Sequence, residues 1–182
     1  GSILPVTPIA TNASGIATLT QWVLGTVAGS NTMTASAAGL TPSLLTFTAT
    51  GAAGAAAQLQ VQTQPSSSAQ SGVALAVQPA VRLADVFGNL VTTNGTVVTA
   101  ALALGGGTLG GTLTANTVSG VATFTNLSIS GPSGTYAIRF TSGSLTPDTT
   151  AAITIGAGAA SRLAVVTQPS TTAQNAVAFA QQ

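Results

Sequence analysis

The chain has 182 residues, a formal net charge of +1 and only 3% charged residues, which are three arginines and two aspartates. It contains no lysine, histidine or cysteine, so the usual catalytic groups and zinc ligands are scarce, and we expect neither an enzyme nor a cofactor. Three scattered arginines make no basic patch for nucleic acid, and no apolar run approaches the roughly 20 residues of a membrane span.

The first predicted elements belong to a repeat. The segment TNASGIATLT (11–20) matches NTVSGVATFT (116–125) at an offset of 105 residues. Self-similarity at a fixed offset is typical of repeat architectures. We therefore interpret residues 1–52 as the C-terminal half of a repeat. The apolar positions that correspond at this offset are Leu19 with Phe124, Trp22 with Leu127, Leu24 with Ile129 and Met33 with Ile138.

Residues 56–156 are predicted to form one complete repeat. Short strands with turn signals at roughly 8–12-residue intervals predict an all-β fold, here an antiparallel β-sandwich. Turn residues such as Asn94-Gly95 separate the strands. The predicted strands, several with the period of two that is typical of strands, are QLQVQT (58–63), GVALAVQ (72–78), VRLADVF (81–87), VVTAALAL (97–104), VATFTNLSI (121–129), GTYAIRF (134–140) and AAITI (151–155).

A second match places the opening strands of a further repeat at residues 160–182. The segment AQLQVQTQPSSSAQ (57–70) is related to SRLAVVTQPSTTAQ (161–174) at an offset of 104 residues. Two separate matches thus agree on a repeat of 104–105 residues. The short joints TGAAGAAA (50–57) and GAGAAS (156–161) are rich in glycine and alanine, as linkers between repeats are.

Three motifs of the complete repeat resemble the bacterial immunoglobulin-like (Big) repeats of the invasin and intimin type. They are the D-x-x-G-N step from Asp85 to Asn89, the block SGVATF (119–124) and the strand GTYAIRF (134–140). The resemblance implies tandem immunoglobulin-like β-sandwiches in a secreted or surface protein. It also implies an extracellular, cell-surface location and a role in adhesion, spacing or fibre formation without catalysis.

Two places in the sequence allow a binding site as well as a purely structural interpretation. Asp85 and Asn89 offer oxygen ligands for calcium, but one carboxylate is few for a cation that takes six to eight oxygens. The alternative is a turn in which Asp85 accepts backbone N–H bonds. Trp22 offers a platform for a sugar, but its match to Leu127 favours a position in a core or between units.

The split repeat suggests a partner. Residues 160–182 match 56–78 and residues 1–51 match 106–156, so together they lack only the counterpart of about 79–105. We expect a homopolymer in which the C-terminal strands of one copy complete the N-terminal half of the next, head to tail. The residues expected in this inter-subunit strand are Leu163, Val165, Val166, Thr167, Gln168, Pro169, Val177 and Phe179.

Two alternatives remain open at this point. In the first alternative, the chain is part of the stalk of a long tandem-repeat adhesin, and the missing strands lie elsewhere in the same polypeptide. Otherwise it would bind a cell-surface glycan or host receptor through the loop tips at 88–95 and 131–134, since loops carry such functions in sandwiches.

Overall fold

The computed structural model describes residues 1–5, 8–168 and 174–177. Within these ranges the regular structure is entirely β, which confirms the predicted all-β class, and no helix is present that could cross a membrane. The strands are β1 (Ser2–Leu4), β2 (Gln21–Val23), β3 (Gly29–Ser36), β4 (Leu44–Gly51), β5 (Gln58–Thr63), β6 (Ser68–Gln70), β7 (Ala80–Ala84), β8 (Val97–Leu104), β9 (Thr108–Gly110), β10 (Thr114–Asn116), β11 (Val121–Thr123), β12 (Ser128–Ser130), β13 (Gly134–Thr141), β14 (Asp148–Thr149) and β15 (Ile153–Gly156).

Two sheets build the part of the chain from β5 to β15. The larger has the strand order β10-β8-β13-β15-β6, with β14 also paired to β13, and the smaller has the order β11-β7-β5. A short pair, β12 with β9, lies beside them. The strand pairs of these sheets are antiparallel except β15 with β6, which run parallel, and Gln58 of β5 also makes an isolated parallel bridge to Thr146.

One hydrophobic core lies between these sheets, and both contribute side chains to it, as expected for the β-sandwich class. The aromatic rings of Phe124 and Phe140 meet at its centre, with ring centroids 5.0 Å apart. Burying each large side chain stabilises the fold by about 1.5–3 kcal/mol. The fully buried members of the core include Leu59, Val81, Leu83, Val98, Leu127, Ile129, Ile138, Ile153 and Ile155.

The segment 72–78, predicted to be a strand, is irregular in the structure. Only Ala74 makes a β-bridge, to Ser128, while Leu75 is buried in the core. The side chain of Gln78 takes the place of a strand neighbour: its Nε2 donates to the carbonyls of Leu75 and Leu127, and its Oε1 accepts the N–H of Leu127. The alternating pattern predicted that Val73, Leu75 and Val77 share a buried face, but only Leu75 is buried, whereas Val73 and Val77 are 51% and 48% exposed.

Residues 1–5 and 8–51 form two separate two-stranded sheets, β1–β2 and β3–β4, and contain no fully buried residue. The hairpin β3–β4 has two distinct faces, because residues opposite each other share a face. One face is apolar and the other carries hydroxyl groups. The apolar face contains Met33, Ala35, Leu45, Phe47 and Ala49, with Asn31 at its end, and the hydroxyl face contains Thr32, Thr34, Thr46, Thr48 and Thr50, with Leu44 at its end.

Replacing Phe140 by alanine tests the core. Because the ring is fully buried against Phe124, Phe140→Ala is expected to lower the free energy of unfolding by about 3–5 kcal/mol. Phe87→Ala is the matched control, since that ring is 64% exposed and its loss is expected to cost no more than about 0.5 kcal/mol. Denaturant unfolding measures both, and equal losses would contradict the assigned core.

Candidate functional site at the Asp85 turn

The D-x-x-G-N step folds into a tight turn directly after β7. Asp85 is buried, and its Oδ1 accepts the backbone N–H groups of Phe87 and Asn89, both at 2.9 Å. The backbone closes the same loop: Asp85 donates to the carbonyl of Asn89 at 3.0 Å, and Gly88 donates to the carbonyl of Asp85 at 3.0 Å. Gly88 has a φ of +85°, which favours glycine at this position.

Asn89 connects this turn to the N-terminal region. Its Oδ1 accepts the N–H of Ala28 at 2.8 Å, and its Nδ2 donates to the carbonyl of Thr26 at 2.7 Å. The side-chain amide therefore pairs with that backbone much as a neighbouring strand would. The same Nδ2 also donates to Oδ2 of Asp85 at 2.9 Å, so the contact between the two regions is fixed to the buried carboxylate.

The linker between the two regions is held by the same carboxylate. Gly54, which lies between β4 and β5, donates its N–H to Oδ2 of Asp85 at 2.9 Å. Gln58, at the start of β5, donates from Nε2 to the carbonyl of Asp85 at 2.9 Å. An open cleft of about 400 Å³ lies here, lined by residues of 25–26, 52–57 and 85–89. We refer to this set of contacts, centred on Asp85 and Asn89, as the Asp85 joint.

Hydrogen bonding stabilises the ionised form of Asp85. The side-chain amide of Asn89 contributes most, and the backbone N–H groups of Gly54, Asn89 and Phe87 add to it, while desolvation opposes them. Together they lower the pKa of Asp85 from its usual 3.8 to about 2. The joint therefore contains a buried carboxylate whose negative charge is stabilised by hydrogen bonds from amide groups.

The oxygens on which the calcium hypothesis depends are already engaged. Each carboxylate oxygen of Asp85 accepts two hydrogen bonds, which use the roughly four acceptor positions of a carboxylate. The amide oxygen of Asn89 accepts from Ala28. Among the described residues, no three acidic, His or Cys side chains lie together as metal ligands would. This geometry favours the turn interpretation of the motif.

The other chemically active side chains also bond to the backbone. Oδ2 of Asp148 accepts the N–H of Val61 at 2.7 Å, and this bond attaches β14 to β5. The hydroxyl of Tyr136 donates to the carbonyl of Pro132 at 2.8 Å, and its ring is buried. Each of these groups thus stabilises a turn or a strand contact.

The residues predicted for the inter-subunit strand are spread over described and undescribed segments. Leu163, Val165 and Val166 lie outside regular structure and are 101%, 68% and 97% exposed. Thr167, Gln168 and Val177 are exposed as well. Pro169 and Phe179 lie outside the described residues. Trp22 lies in β2 and is partly buried, beside an open cavity of about 430 Å³.

Sequence reasoning selected Asp85 and Asn89 but missed what they hold together. Their partners in the N-terminal region and the linker are backbone groups of Thr26, Ala28 and Gly54. Backbone partners leave no side-chain signature.

Asn89→Ala tests the joint. Loss of the amide is expected to speed hydrogen exchange of the Ala28 and Gly54 N–H groups by about 5–30-fold, the factor that corresponds to 1–2 kcal/mol. The matched control is Asn94→Ala, because Oδ1 of Asn94 accepts only from Ser119 within the complete unit. Exchange at Ala28 that is unchanged in Asn89→Ala would contradict the joint.

The lowered pKa of Asp85 predicts the behaviour in acid. A carboxylate whose pKa is lower in the folded chain stabilises it fully above about pH 4 and loses that contribution as the pH falls towards 2. We expect the difference in free energy of unfolding between the natural chain and Asp85→Asn to shrink across this window. Urea unfolding at about pH 5, 3 and 2 measures it. Asp148 is common to both proteins, so a constant difference would count against Asp85.

A scan against protein-family models finds no match for this chain, and a search of curated proteins finds no similar sequence. The function is therefore inferred from the geometry. In the structure, the Asp85 joint connects the N-terminal strands and the linker to the turn that follows β7.

Proposed function

We propose that the chain is a non-catalytic structural protein of the cell surface, built from tandem immunoglobulin-like β-sandwich units that form a fibre or a stalk. The all-β fold, the 104–105-residue self-similarity and the resemblance to bacterial immunoglobulin-like repeats support this proposal together. It requires that units be joined end to end, which is the arrangement that the Asp85 joint supports.

The observation that carries the proposal is a difference in burial between matched positions. In the complete unit, Phe124, Leu127, Ile129 and Ile138 are at most 1% exposed. Their matches 105 residues earlier, Leu19, Trp22, Leu24 and Met33, are only partly buried. The same apolar pattern therefore forms a closed core in residues 56–156 but only a partly buried cluster in residues 1–51.

The two regions also share strand positions. Strand β3 and strand β13 have the same bounds at an offset of 105 residues. Their hairpins are related but not identical, because Gly29 lies opposite Gly51 whereas Gly134 lies opposite Ile155, a register change of one residue. The likeness of β3 to β13 supports a common unit. The register change alters the faces of the second strand, because the residues that match the buried Ile153 and Ile155 are Thr48 and Thr50 on the hydroxyl face of β4.

An apolar sheet face that is only partly covered favours association, so the N-terminal half-unit needs a more complete second layer. In the head-to-tail form, residues 160–182 of another copy supply it. The exposure of Leu163, Val165 and Val166 supports this form, since these apolar side chains have no cover of their own. An open head-to-tail contact of this kind generates a filament.

A specific observation favours the second form, a stalk in which the cover lies in the same polypeptide. By the repeat, residues 160–182 correspond to β5 and β6. In the complete unit, β5 pairs with β7 and β13 pairs with β8, and neither β7 nor β8 has a counterpart in 160–182. A neighbouring whole repeat would supply all of these strands.

The remaining chemistry supports a structural role over catalysis or ligand binding. Asp85, Asp148 and Tyr136 all bond to backbone groups. Of the two loop tips considered for a glycan or receptor, 88–95 contains Asn89 of the joint, and 131–134 contains the carbonyl bonded by Tyr136.

Hydrogen exchange tests the proposal. In the dilute monomer, amides of β3–β4 are expected to exchange faster than those of β8–β13, because only the latter belong to a closed core. In the filament form, β3–β4 becomes protected as concentration rises, and deletion of 160–182 abolishes that protection. In the stalk form, protection appears only when a whole repeat is fused before residue 1.

Leu163→Thr/Val165→Thr/Val166→Thr is the matched control for the deletion, since it keeps the chain length and removes the apolar side chains. The outcome that would overturn the structural proposal is a dilute monomer in which β3–β4 is as strongly protected as β8–β13. Residues 1–51 would then be a self-sufficient fold.

A further inference from the structure

The outer edge of β3 is open. Within the described ranges, β3 pairs with β4 alone, so the N–H and C=O groups along its other side have no backbone partner. The strand is eight residues long and carries no charge or proline, the features that usually protect a sheet edge. This edge is continuous with the apolar face that contains Met33, Ala35 and Phe47. That face is only partly covered, since Phe47 is 46% exposed and an open cavity of about 440 Å³ lies between it and Ile9 and Leu19.

The matching strand of the complete unit has a neighbour at this place. Strand β13 is flanked by β15 on one side and by β8 on the other, whereas β3 is flanked only by β4. Strand β8 alternates strongly, with Val98, Ala100 and Leu102 towards the core and Val97 and Thr99 exposed. The strand at the matching position thus binds a VVTAALAL strand elsewhere in this chain. Of the three core positions of β13, β3 keeps a large apolar side chain at Met33 and has the smaller or polar Asn31 and Ala35 at the other two.

We propose that the open edge of β3 binds an antiparallel strand of the β8 type, VVTAALAL or a close relative, in the register that β8 adopts on β13. This inference rests on the proposed function and identifies the strand that completes the N-terminal half-unit. The occupant is an extended segment of a further repeat. The 105-residue offset converts the observed pairs into Leu104 opposite Thr32, Leu102 opposite Met33, Ala101 opposite Thr34, Ala100 opposite Ala35 and Thr99 opposite Ser36.

This register extends the apolar face. Leu102 joins Met33 and Phe47 on one row, and Ala100 joins Ala35 and Leu45 on the next. A slip of one residue would instead place Thr99 and Ala101 on the apolar face and Leu102 in water, because successive strand residues point to opposite faces. The cavity lined by Ile3, Trp22, Asn31 and Met33 lies at the part of the edge where Leu102 and Leu104 would fall.

The exposed C-terminal segment fits this edge less well. By the 104-residue offset, Leu163 and Val165 correspond to Leu59 and Val61 of β5. Strand β5 pairs with β7, and it belongs to the opposite sheet from β13. Leu163 and Val165 would therefore lie across the core from β3, not beside it.

Disulfide trapping tests the register directly, because the chain has no cysteine of its own. Thr34→Cys is introduced into the full chain, where this side chain is exposed. A peptide of residues 95–106 with a lysine tail carries either Ala101→Cys or Thr99→Cys, because both positions lie in the regular part of the β8–β13 ladder, away from the register shift between Leu102 and Leu104. Position 101 lies directly opposite 34, whereas 99 lies opposite Ser36, so it shares the face of 34 but is diagonal to it, at about 7–8 Å and beyond the roughly 7 Å between Cα atoms that a disulfide spans.

A second directly opposite pair is Ala35→Cys in the chain with Ala100→Cys in the peptide. It is included because opposite residues in an antiparallel ladder alternate between closer and wider Cα separations, and the closer pair cross-links more readily. We expect at least one directly opposite pair to cross-link about tenfold or more faster than the diagonal pair and than a scrambled peptide, given the distance limit. The same peptide without a cysteine is expected to bind the edge and slow amide hydrogen exchange in β3. Fluorescence of Trp22, the one tryptophan, verifies that each variant keeps the natural fold.

Equal trapping of all peptides, or no protection of β3, overturns the assignment of this edge. The structural function is judged separately, by the exchange of β3–β4 in the associated or fused protein. If β3–β4 becomes protected there while the peptide fails, the proposed function stands and the occupant is a different strand. If β3–β4 is protected in the dilute monomer, both proposals fail.

Discussion

A β-sheet with one apolar face is stable in water only when a second layer covers that face, and this constraint organises the whole molecule. Between β5 and β15 two sheets cover each other, and their inward side chains form a continuous core. In residues 1–5 and 8–51 the strands are present but no residue is fully buried. The protein offers few other sources of stability, since it has neither disulfides nor more than five charged side chains.

In so uncharged a chain, the few polar groups have concentrated structural roles. Asp85 collects four hydrogen bonds and Asn89 connects them to the backbone at Thr26 and Ala28. Gln78 supplies hydrogen bonds where the strand ladder is interrupted. Amide groups thus provide the stabilising contacts that ion pairs provide in more highly charged proteins. Hydrogen bonds between amides are insensitive to salt.

The sequence predicted much of the fold, because alternation reports which side chains are buried. The patterns of GTYAIRF and VVTAALAL correspond to β13 and β8. The sequence predicted strand pairing less well where the pairing depends on individual side chains. The segment 72–78 alternates but is held by Gln78, and VATFTNLSI is divided into β11 and β12 near Asn126, which has a φ of +58°. The turn at Asp85 was predictable from its Asp, Gly and Asn, whereas its bonds to distant backbone were not.

The parallel pairing of β15 with β6 has a mechanical consequence. The chain enters the complete unit at Gln58, which bridges to Thr146 near the C-terminal end of β13. It leaves at Gly156, beside Gln70 and close to Gly134, the first residue of β13. The two connections therefore lie at opposite ends of the same long strand. In the proposed fibre or stalk, tension between neighbouring units would run along the strands, so that the hydrogen bonds joining β15 to β6 resist shear together instead of opening one at a time.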